Sequence, residues 1–314
     1  MTGPSLAQRV LAGDPRAIAR AISLVEDEDP DSAAVVRDIF SRTGRAYLIG
    51  VTGPPGAGKS TLVDRLVFEI RKSGKSVGVI AVDPTSPFSG GAVLGDRLRM
   101  QAHASDDGVF IRSMATRGHL GGLARATGDA AIVLDAAGKD VIVIETVGVG
   151  QDEVDIVRTA DVSIVTLVPG TGDEVQALKA GIMEIADIFV VNKADREGAD
   201  RLVATVDANL ALVAFAAERW RPPVLKTMAT AGKGVPELLE AIWAFRDHER
   251  GGEATRRRLR SEYRLRELVS QRFMDHVERT VLQPGELGAI IDRVAAREID
   301  PYTAANDLLR RAIR

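Results

Sequence analysis

The stretch Gly53-Pro-Pro-Gly-Ala-Gly-Lys-Ser60 combines residue types and a spacing that suit phosphate chemistry. It fits G-x-x-x-x-G-K-[ST], the pattern of a P-loop, and it lies between a strand-like apolar run and a helix-like run, as a P-loop requires. Glycines let backbone N–H groups turn toward a phosphate, and the helix start adds partial positive charge. Lys59 can reach the outer phosphates, and the Ser60 hydroxyl can bind Mg²⁺. A glycine-rich turn with a chance Lys-Ser pair is the alternative. We predict a nucleotide site held by Gly53, Pro54, Pro55, Gly56, Ala57, Gly58, Lys59, Ser60 and Thr61.

A second stretch with chemical potential is Glu145-Thr-Val-Gly148, which follows the apolar run 141–144. A carboxylate at the end of a buried strand is the arrangement that holds Mg²⁺ beside a P-loop. Gly148 allows its backbone N–H to approach a γ-phosphate closely. We therefore predict Glu145 as a metal ligand, directly or through water. The alternative is an acid that merely ends a strand.

Two further carboxylates, Asp83 and Asp96, bound a stretch with two prolines and three glycines, which excludes regular structure there. Carboxylates near a phosphate site are natural Mg²⁺ ligands, so either residue could contact the metal. Asp83 could instead cap a turn. Asp96 could cap the following helix, and the sequence leaves both interpretations of Asp96 open.

The motif N-K-x-D occurs at the end of another apolar run, as Asn192-Lys193-Ala-Asp195. A carboxylate accepts two N–H groups from the edge of guanine, whereas adenine would leave it unpaired at a cost of ~1–3 kcal/mol. We therefore predict that Asn192, Lys193 and Asp195 bind the base of GTP or GDP. The segment 226–234, with Met228, Ala229 and Thr230, is expected to close over the base.

Two other loops give weaker signals. The glycine-rich residues 114–128 run into a helix whose N-terminus could face phosphate, and a plain connector explains them equally well. In the stretch 169–179, the polar side chains of Asp173, Glu174, Gln176 and Lys179 could form salt bridges or hydrogen bonds with the other loops. Composition alone favours a solvated helix start for that stretch.

Between residues 46 and 248, apolar β-branched runs alternate with helical patterns. This alternation predicts an α/β fold with a mostly parallel sheet and helices on both faces, with its ligand site at the carboxyl ends of the strands. We expect three regions, which are an N-terminal helical extension over 1–44, a P-loop domain over 45–249 and a C-terminal helical region over 250–314. The N-terminal helices are predicted to be a packing layer rather than a partner-binding arm.

The C-terminal region carries seven arginines between positions 250 and 266, with Glu253, Glu262 and Glu267 among them. This pattern favours a solvated, ion-paired helix over an RNA-binding one. An apolar stripe along the same helix is typical of a dimer contact.

Global composition excludes several classes of protein. The net charge is −3, cysteine is absent, and no apolar run approaches the roughly 20 residues of a membrane span. Disulfides, thiolate chemistry and Cys-based metal sites are therefore excluded. We expect a cytoplasmic protein with neither a nucleic acid nor a membrane as partner.

Four stretches together resemble the MeaB/ArgK family, the methylmalonyl-CoA mutase-associated GTPases in the G3E branch of the SIMIBI class. They are residues 53–61, 82–97, 145–151 and 192–195, and the resemblance extends over nearly the whole chain, including both helical extensions. The run 82–97 is the most discriminating of the four.

The resemblance implies a Mg²⁺-dependent GTPase that hydrolyses GTP to GDP and phosphate. It further implies a homodimer, joined through its C-terminal helices, that chaperones an adenosylcobalamin-dependent methylmalonyl-CoA mutase. Such a chaperone gates cofactor loading and protects or reactivates the mutase. The metal would be surrounded by Ser60, Asp83, Asp96 and Glu145. Residues 169–180 resemble an extra switch loop, which makes Asp173, Gln176 and Lys179 candidates for signalling.

The predicted catalytic residues are Lys59, Asp83 and Gln151, the last of which would position water. Because no glutamine occupies the usual water-orienting place, we expect slow hydrolysis that a partner accelerates. Whether Arg97, Arg99 or Arg117 assists is left open. The base-closing loop of the family usually carries Ser-Ala, and this chain has Met228-Ala-Thr230.

Two alternative functions remain at the level of sequence. One is a kinase acting on a small molecule or a transport protein, and N-K-x-D argues against an ATP-dependent kinase because the motif suits guanine rather than adenine. The other is a scaffold with a vestigial nucleotide site, against which the intact Lys59, Ser60 and Glu145 argue.

Overall fold

A computed structural model describes residues 3–83, 101–103, 105–115, 122–146, 159–170, 185–213 and 219–312. The chain divides into two compact units, Met1–Glu253 and Ala254–Arg314. The first unit contains the N-terminal helices together with the sheet, and the second is helical. Helices are numbered below in chain order over the described residues.

The first unit is built on a seven-stranded sheet with the order β3-β2-β4-β1-β5-β6-β7, and every pairing in it is parallel. The predicted α/β fold with a mostly parallel sheet is therefore confirmed. Every residue of β4, β5 and β6 is buried, as expected for strands covered on both faces. The strands are β1 Tyr47–Thr52, β2 Val77–Asp83, β3 Val109–Ala115, β4 Val141–Glu145, β5 Val162–Leu167, β6 Ile188–Asn192 and β7 Val224–Thr227.

Helices cover the two faces of the sheet with separate apolar clusters. On one face, α4 (Lys59–Lys72) and α7 (Val235–His248) pack on the strands through residues such as Leu66 and Phe245. On the other face lie α5 (Gly122–Ala136) and α6 (Ala199–Ala211). Alternate residues of one strand belong to different apolar clusters, because successive side chains along a strand point to opposite faces of the sheet.

The N-terminal helices α1 (Leu6–Leu11), α2 (Pro15–Glu26) and α3 (Ser32–Phe40) form a further layer against α5. Asp14 caps α2 by accepting hydrogen bonds from the backbone N–H of Arg16 and Ala17. An ion pair of 2.7 Å between Arg112 Nη2 on β3 and Glu26 Oε2 ties α2 to the sheet. The N-terminal region is therefore a packing layer, as the sequence predicts.

The second unit contains most of α8 (Glu253–His276), a π-helical turn at Val277–Val281, α9 (Glu286–Ala295) and α10 (Pro301–Ala312). Arg311 Nη1 lies 2.6 Å from Glu286 Oε1, and this hydrogen-bonded guanidinium lowers the pKa of Glu286 to about 2. Apolar side chains are exposed on each helix of this unit, including Leu265, Ile291 and Tyr302. Among the described residues of the whole chain, no helix is long and apolar enough to cross a membrane.

One buried carboxylate ties the end of α5 to the segment that leads into β1. Asp135 accepts hydrogen bonds from the backbone N–H groups of Gly44, Arg45 and Ala46. Replacing Asp135 by Ala removes the acceptor of three part-buried hydrogen bonds, so we expect the free energy of unfolding to fall by about 3 kcal/mol. Urea unfolding followed by the fluorescence of Trp220 and Trp243 measures the loss. The control Asp38→Asn touches only an exposed ion pair and should change stability by less than about 0.5 kcal/mol. Equal stability of the two variants would contradict this role of Asp135.

Candidate nucleotide site

The P-loop connects the end of β1 at Thr52 to the start of α4 at Lys59. Gly53 has a φ of 138°, and a Cβ there would lie 2.0 Å from the Thr166 carbonyl oxygen on β5. Gly58 has a φ of 87°, and a Cβ there would lie 2.5 Å from Nδ2 of Asn192 on β6. Only glycine meets both the backbone geometry and the space at these positions. The loop is therefore held directly against the carboxyl ends of two neighbouring strands.

The side chain of Lys59, the first residue of α4, is buried. Its Nζ donates hydrogen bonds to the carbonyl oxygens of Gly53 at 2.7 Å and Pro54 at 3.2 Å. The positive charge of the Lys59 ammonium group therefore lies at the P-loop, where it can attract phosphate oxygens.

Ser60 and Glu145 are brought into contact from different parts of the chain. Ser60 Oγ donates to Glu145 Oε1 at 2.5 Å, and both side chains are buried. Hydroxyl and carboxylate oxygens are the hard ligands that Mg²⁺ prefers, so this pair fits a magnesium ion. Asp83 is the last residue of β2, and its side chain lies outside the described part of the structure. Within that part, no cluster of three or more His, Cys, Asp or Glu residues suited to a metal occurs.

Asn192 connects the P-loop to the segment that follows β7. Its Nδ2 donates to the Ala57 carbonyl oxygen at 2.8 Å. Its Oδ1 accepts from Thr227 Oγ1 at 3.0 Å and from the Ala229 backbone N–H at 3.2 Å. The buried amide therefore uses both its donor and its acceptor to join the P-loop to the segment that follows β7.

Lys193 and Asp195 are the other two residues of the N-K-x-D motif for which the structure suggests a role. Lys193 has a φ of 56°, and its Nζ donates to the Gly56 carbonyl oxygen at 2.7 Å. Asp195 is exposed, so its carboxylate is accessible to a ligand.

Backbone contacts shape the base-closing segment. The Met228 N–H donates to the Lys233 carbonyl at 2.9 Å, and Ala229–Ala231 forms a 3₁₀ turn. Ala229 is buried, whereas Thr230 is exposed. Because these contacts are made by the backbone, the unusual side chains at positions 228 and 230 leave them in place.

The structure thus gathers the P-loop, Glu145, Asn192, Lys193 and the segment 228–230 at one edge of the sheet. The sequence analysis did not single out three buried threonines of this edge, which are Thr52, Thr146 and Thr227. Thr52 and Thr146 could have been found from the sequence, because each is a threonine directly beside a motif at the end of an apolar strand. Other predicted residues lie outside the described residues, namely Asp96, Gly148, Gln151, Asp173, Gln176 and Lys179, together with Arg97, Arg99 and Arg117.

A P-loop followed by a strand-end acid and by N-K-x-D, all on one parallel sheet, defines a P-loop GTPase. The family model described as "Methylmalonyl Co-A mutase-associated GTPase MeaB" matches residues 18–281. The chain belongs to this family, and it is accordingly a GTPase that binds GTP and GDP.

Individual relatives are similar over nearly the whole chain. A Pyrococcus abyssi protein that carries a GTPase name is 54% identical over 314 aligned residues, which cover 98% of this chain and 96% of the relative. The mouse protein named methylmalonic aciduria type A homolog, mitochondrial, is 31% identical over 320 residues, which cover 96% of this chain and 77% of the mouse protein. A solved structure of a protein named LAO/AO transport system kinase superimposes with a TM-score of 0.74 at 26% identity, covering 97% of this chain and 95% of its own.

The contacts of Asn192 lead to a prediction about nucleotide affinity. Asn192→Ala breaks its bond to the P-loop and leaves the Ala229 N–H and the Ala57 carbonyl without their partner. We expect GDP binding to weaken by about 30-fold, the equivalent of one or two buried hydrogen bonds. Isothermal titration with GDP and Mg²⁺ measures this.

The matched control is Asn209→Ala on α6, whose amide bonds only its own helix, to the Thr205 carbonyl. The control should bind GDP within about twofold of the unmodified protein. If Asn192→Ala also stays within twofold, Asn192 does not hold the two loops for the nucleotide.

Proposed function

We propose that this GTPase works with Mg²⁺ as a chaperone of an adenosylcobalamin-dependent methylmalonyl-CoA mutase. In this proposal it gates loading of the cofactor and protects or reactivates the mutase. The observation that carries the proposal is the match of residues 18–281 to a family described as mutase-associated. The name of the mouse relative, which refers to methylmalonic aciduria, supports the same partner.

In the proposed site, the P-loop residues 53–61 bind the phosphates, and Lys59 neutralises charge on the outer ones. Ser60 and Glu145 hold Mg²⁺, together with Asp83 and Asp96. The metal, when bound, screens the negative charge that develops on the transferred phosphoryl group. Contact between the two buried oxygens of Ser60 and Glu145 supports this ligand set.

Guanine is assigned to the space beside Asp195. Asp195 would accept two N–H groups from the base edge, and Lys193 and the segment Met228 to Thr230 would line the base. Exposure of Asp195 and the two-sided hydrogen bonding of Asn192 support this assignment.

Hydrolysis in this proposal acts as a slow timer. Positioning and electrostatics supply the rate enhancement, and Gln151 orients the attacking water. Gly148 and the residues Asp173, Gln176 and Lys179 would respond to the γ-phosphate and pass the nucleotide state to the mutase.

The second unit is assigned to homodimer formation. Its helices α8, α9 and α10 carry exposed apolar side chains, with 62% of Leu265 and 57% of Ile291 accessible. An exposed apolar surface is removed from water when a second copy of the chain covers it. In a two-fold symmetric dimer, both copies contribute the same surface to the contact.

The test is GTP hydrolysis by the full chain, alone and with methylmalonyl-CoA mutase from the same source. We expect a slow basal rate that rises at least about fivefold with the mutase, because the partner completes the set of groups that stabilise the transition state. Lys59→Ala, which removes the charge at the phosphates, should lose both rates. A rate that is unaffected by the mutase would contradict the chaperone role.

The same assay separates hydrolysis from the kinase activity that the name of the neighbouring solved structure suggests. Release of inorganic phosphate in proportion to the GTP consumed is expected. Transfer of the γ-phosphate to a small molecule or to a transport protein, or equal use of ATP, would favour a kinase instead.

A further inference from the structure

Buried threonines lie at the carboxyl ends of the three central strands of the sheet. They are Thr146, directly after β4, Thr52 at the end of β1, and Thr166 on β5, with at most 3% of any of these residues exposed. Valine has the same shape and would avoid the cost of removing a hydroxyl group from water. The presence of threonine rather than valine at these buried positions therefore indicates a role for the hydroxyl groups.

Two of these hydroxyl groups contact each other. Thr146 Oγ1 donates to Thr52 Oγ1 at 2.9 Å, and the Thr146 backbone N–H donates to the Val51 carbonyl at 3.0 Å. Thr52 directly precedes Gly53, the first P-loop glycine, and Thr146 directly follows Glu145. The contact therefore joins the residues next to two parts of the proposed site.

The contact between the two hydroxyl groups lies at the carboxyl ends of β1 and β4. Strands β1 and β4 pair in parallel register as far as Val51 and Glu145. The hydroxyl pair lies one residue beyond that last pair, where β1 turns into the P-loop. Ser60 then bonds Glu145 from the far end of the P-loop. Two side-chain hydrogen bonds therefore close a ring. One side of the ring is the chain from Thr52 to Ser60, and the other side is the dipeptide Glu145-Thr146.

We infer that the Thr52–Thr146 hydroxyl pair is a positioning link that fixes Glu145 relative to Ser60 during GTP hydrolysis. This inference rests on the proposed role of Glu145. The hydroxyl groups act through Glu145 and the P-loop rather than on the nucleotide. The exact position of Glu145 matters because a displacement of about 1 Å in a catalytic arrangement can lower the rate about 100-fold.

A purely structural role would have a different signature. If the pair only stabilised the fold, its loss would lower the unfolding temperature and leave the turnover of the folded protein unchanged. Thr→Val keeps the shape and the β-branch and removes only the hydroxyl group, whereas Thr→Ser keeps the hydroxyl group. Turnover and stability measured on the same variants therefore separate the two roles.

The experiment uses the full chain with Thr146→Val, Thr52→Val, the double variant and Thr146→Ser. The control is Thr127→Val on α5, a fully buried residue whose hydroxyl has no hydrogen-bond partner among the described residues. Steady-state GTP hydrolysis gives kcat and KM at saturating Mg²⁺. Fluorescence of Trp220 and Trp243 gives the unfolding temperature.

We expect kcat to fall about tenfold in each valine variant, with KM within about twofold, as for a lost hydrogen bond that matters in the transition state. Thr146→Ser should restore kcat. The double variant should be about as slow as either single variant, because one link can be broken only once. Thr127→Val should keep the kcat of the unmodified protein.

Unchanged kcat in the valine variants would overturn the inference, as would a double variant that multiplies the two losses or a control that is equally slow. Thr52→Val and Thr146→Val test the link from opposite sides, so one of them suffices if the other does not fold. Glu145→Gln is measured in parallel. If Glu145→Gln hydrolyses GTP normally, the proposed site itself fails. If it is slow while the threonine variants are not, only the positioning link fails.

Discussion

Parallel pairing of β1 with β4 and β5 is the constraint on which the nucleotide site depends. In a parallel sheet all the carboxyl ends reach the same edge, so the segments that follow these strands must meet there. The P-loop follows β1, Glu145 ends β4, and N-K-x-D begins at the end of β6. A site made from residues 85 positions apart in the chain, such as Ser60 and Glu145, is thereby held on a rigid base.

That base is apolar along most of its length and polar at one edge. The strands are buried by helices on both faces, which stabilises the sheet and makes an unpaired polar group costly there. At the site edge, buried groups such as Asn192 and Thr227 satisfy each other and the loop carbonyls. Such a network stabilises one arrangement of the loops, because any other arrangement would leave buried donors and acceptors unsatisfied.

Much of this could be predicted from the sequence, because the determining signals are local. An aspartate before a proline marks a helix start, and Asp14 and Asp300 both cap helices by accepting backbone N–H groups. Apolar β-branched runs indicate most of the strands. β7 gives a weaker signal, because Val224–Thr227 is short and follows two prolines.

Contacts between distant residues could not be predicted in the same way. The hydrogen bond between Thr52 and Thr146 joins positions 94 apart, and a threonine at the end of a strand is common for reasons of shape alone. The return of Lys59 onto the carbonyls of its own loop likewise depends on the folded backbone. Local patterns identify motifs, whereas the sheet decides which of their atoms meet.

A crystal structure of the full chain with GDP and Mg²⁺ tests the proposed site most directly. The account predicts phosphates inside the P-loop, a metal about 2.1 Å from Ser60 Oγ, and both guanine N–H donors facing Asp195. Glu145 should bind the metal directly or through one water. A metal that avoids Ser60 and Glu145, or a base bound away from Asp195, would contradict the account.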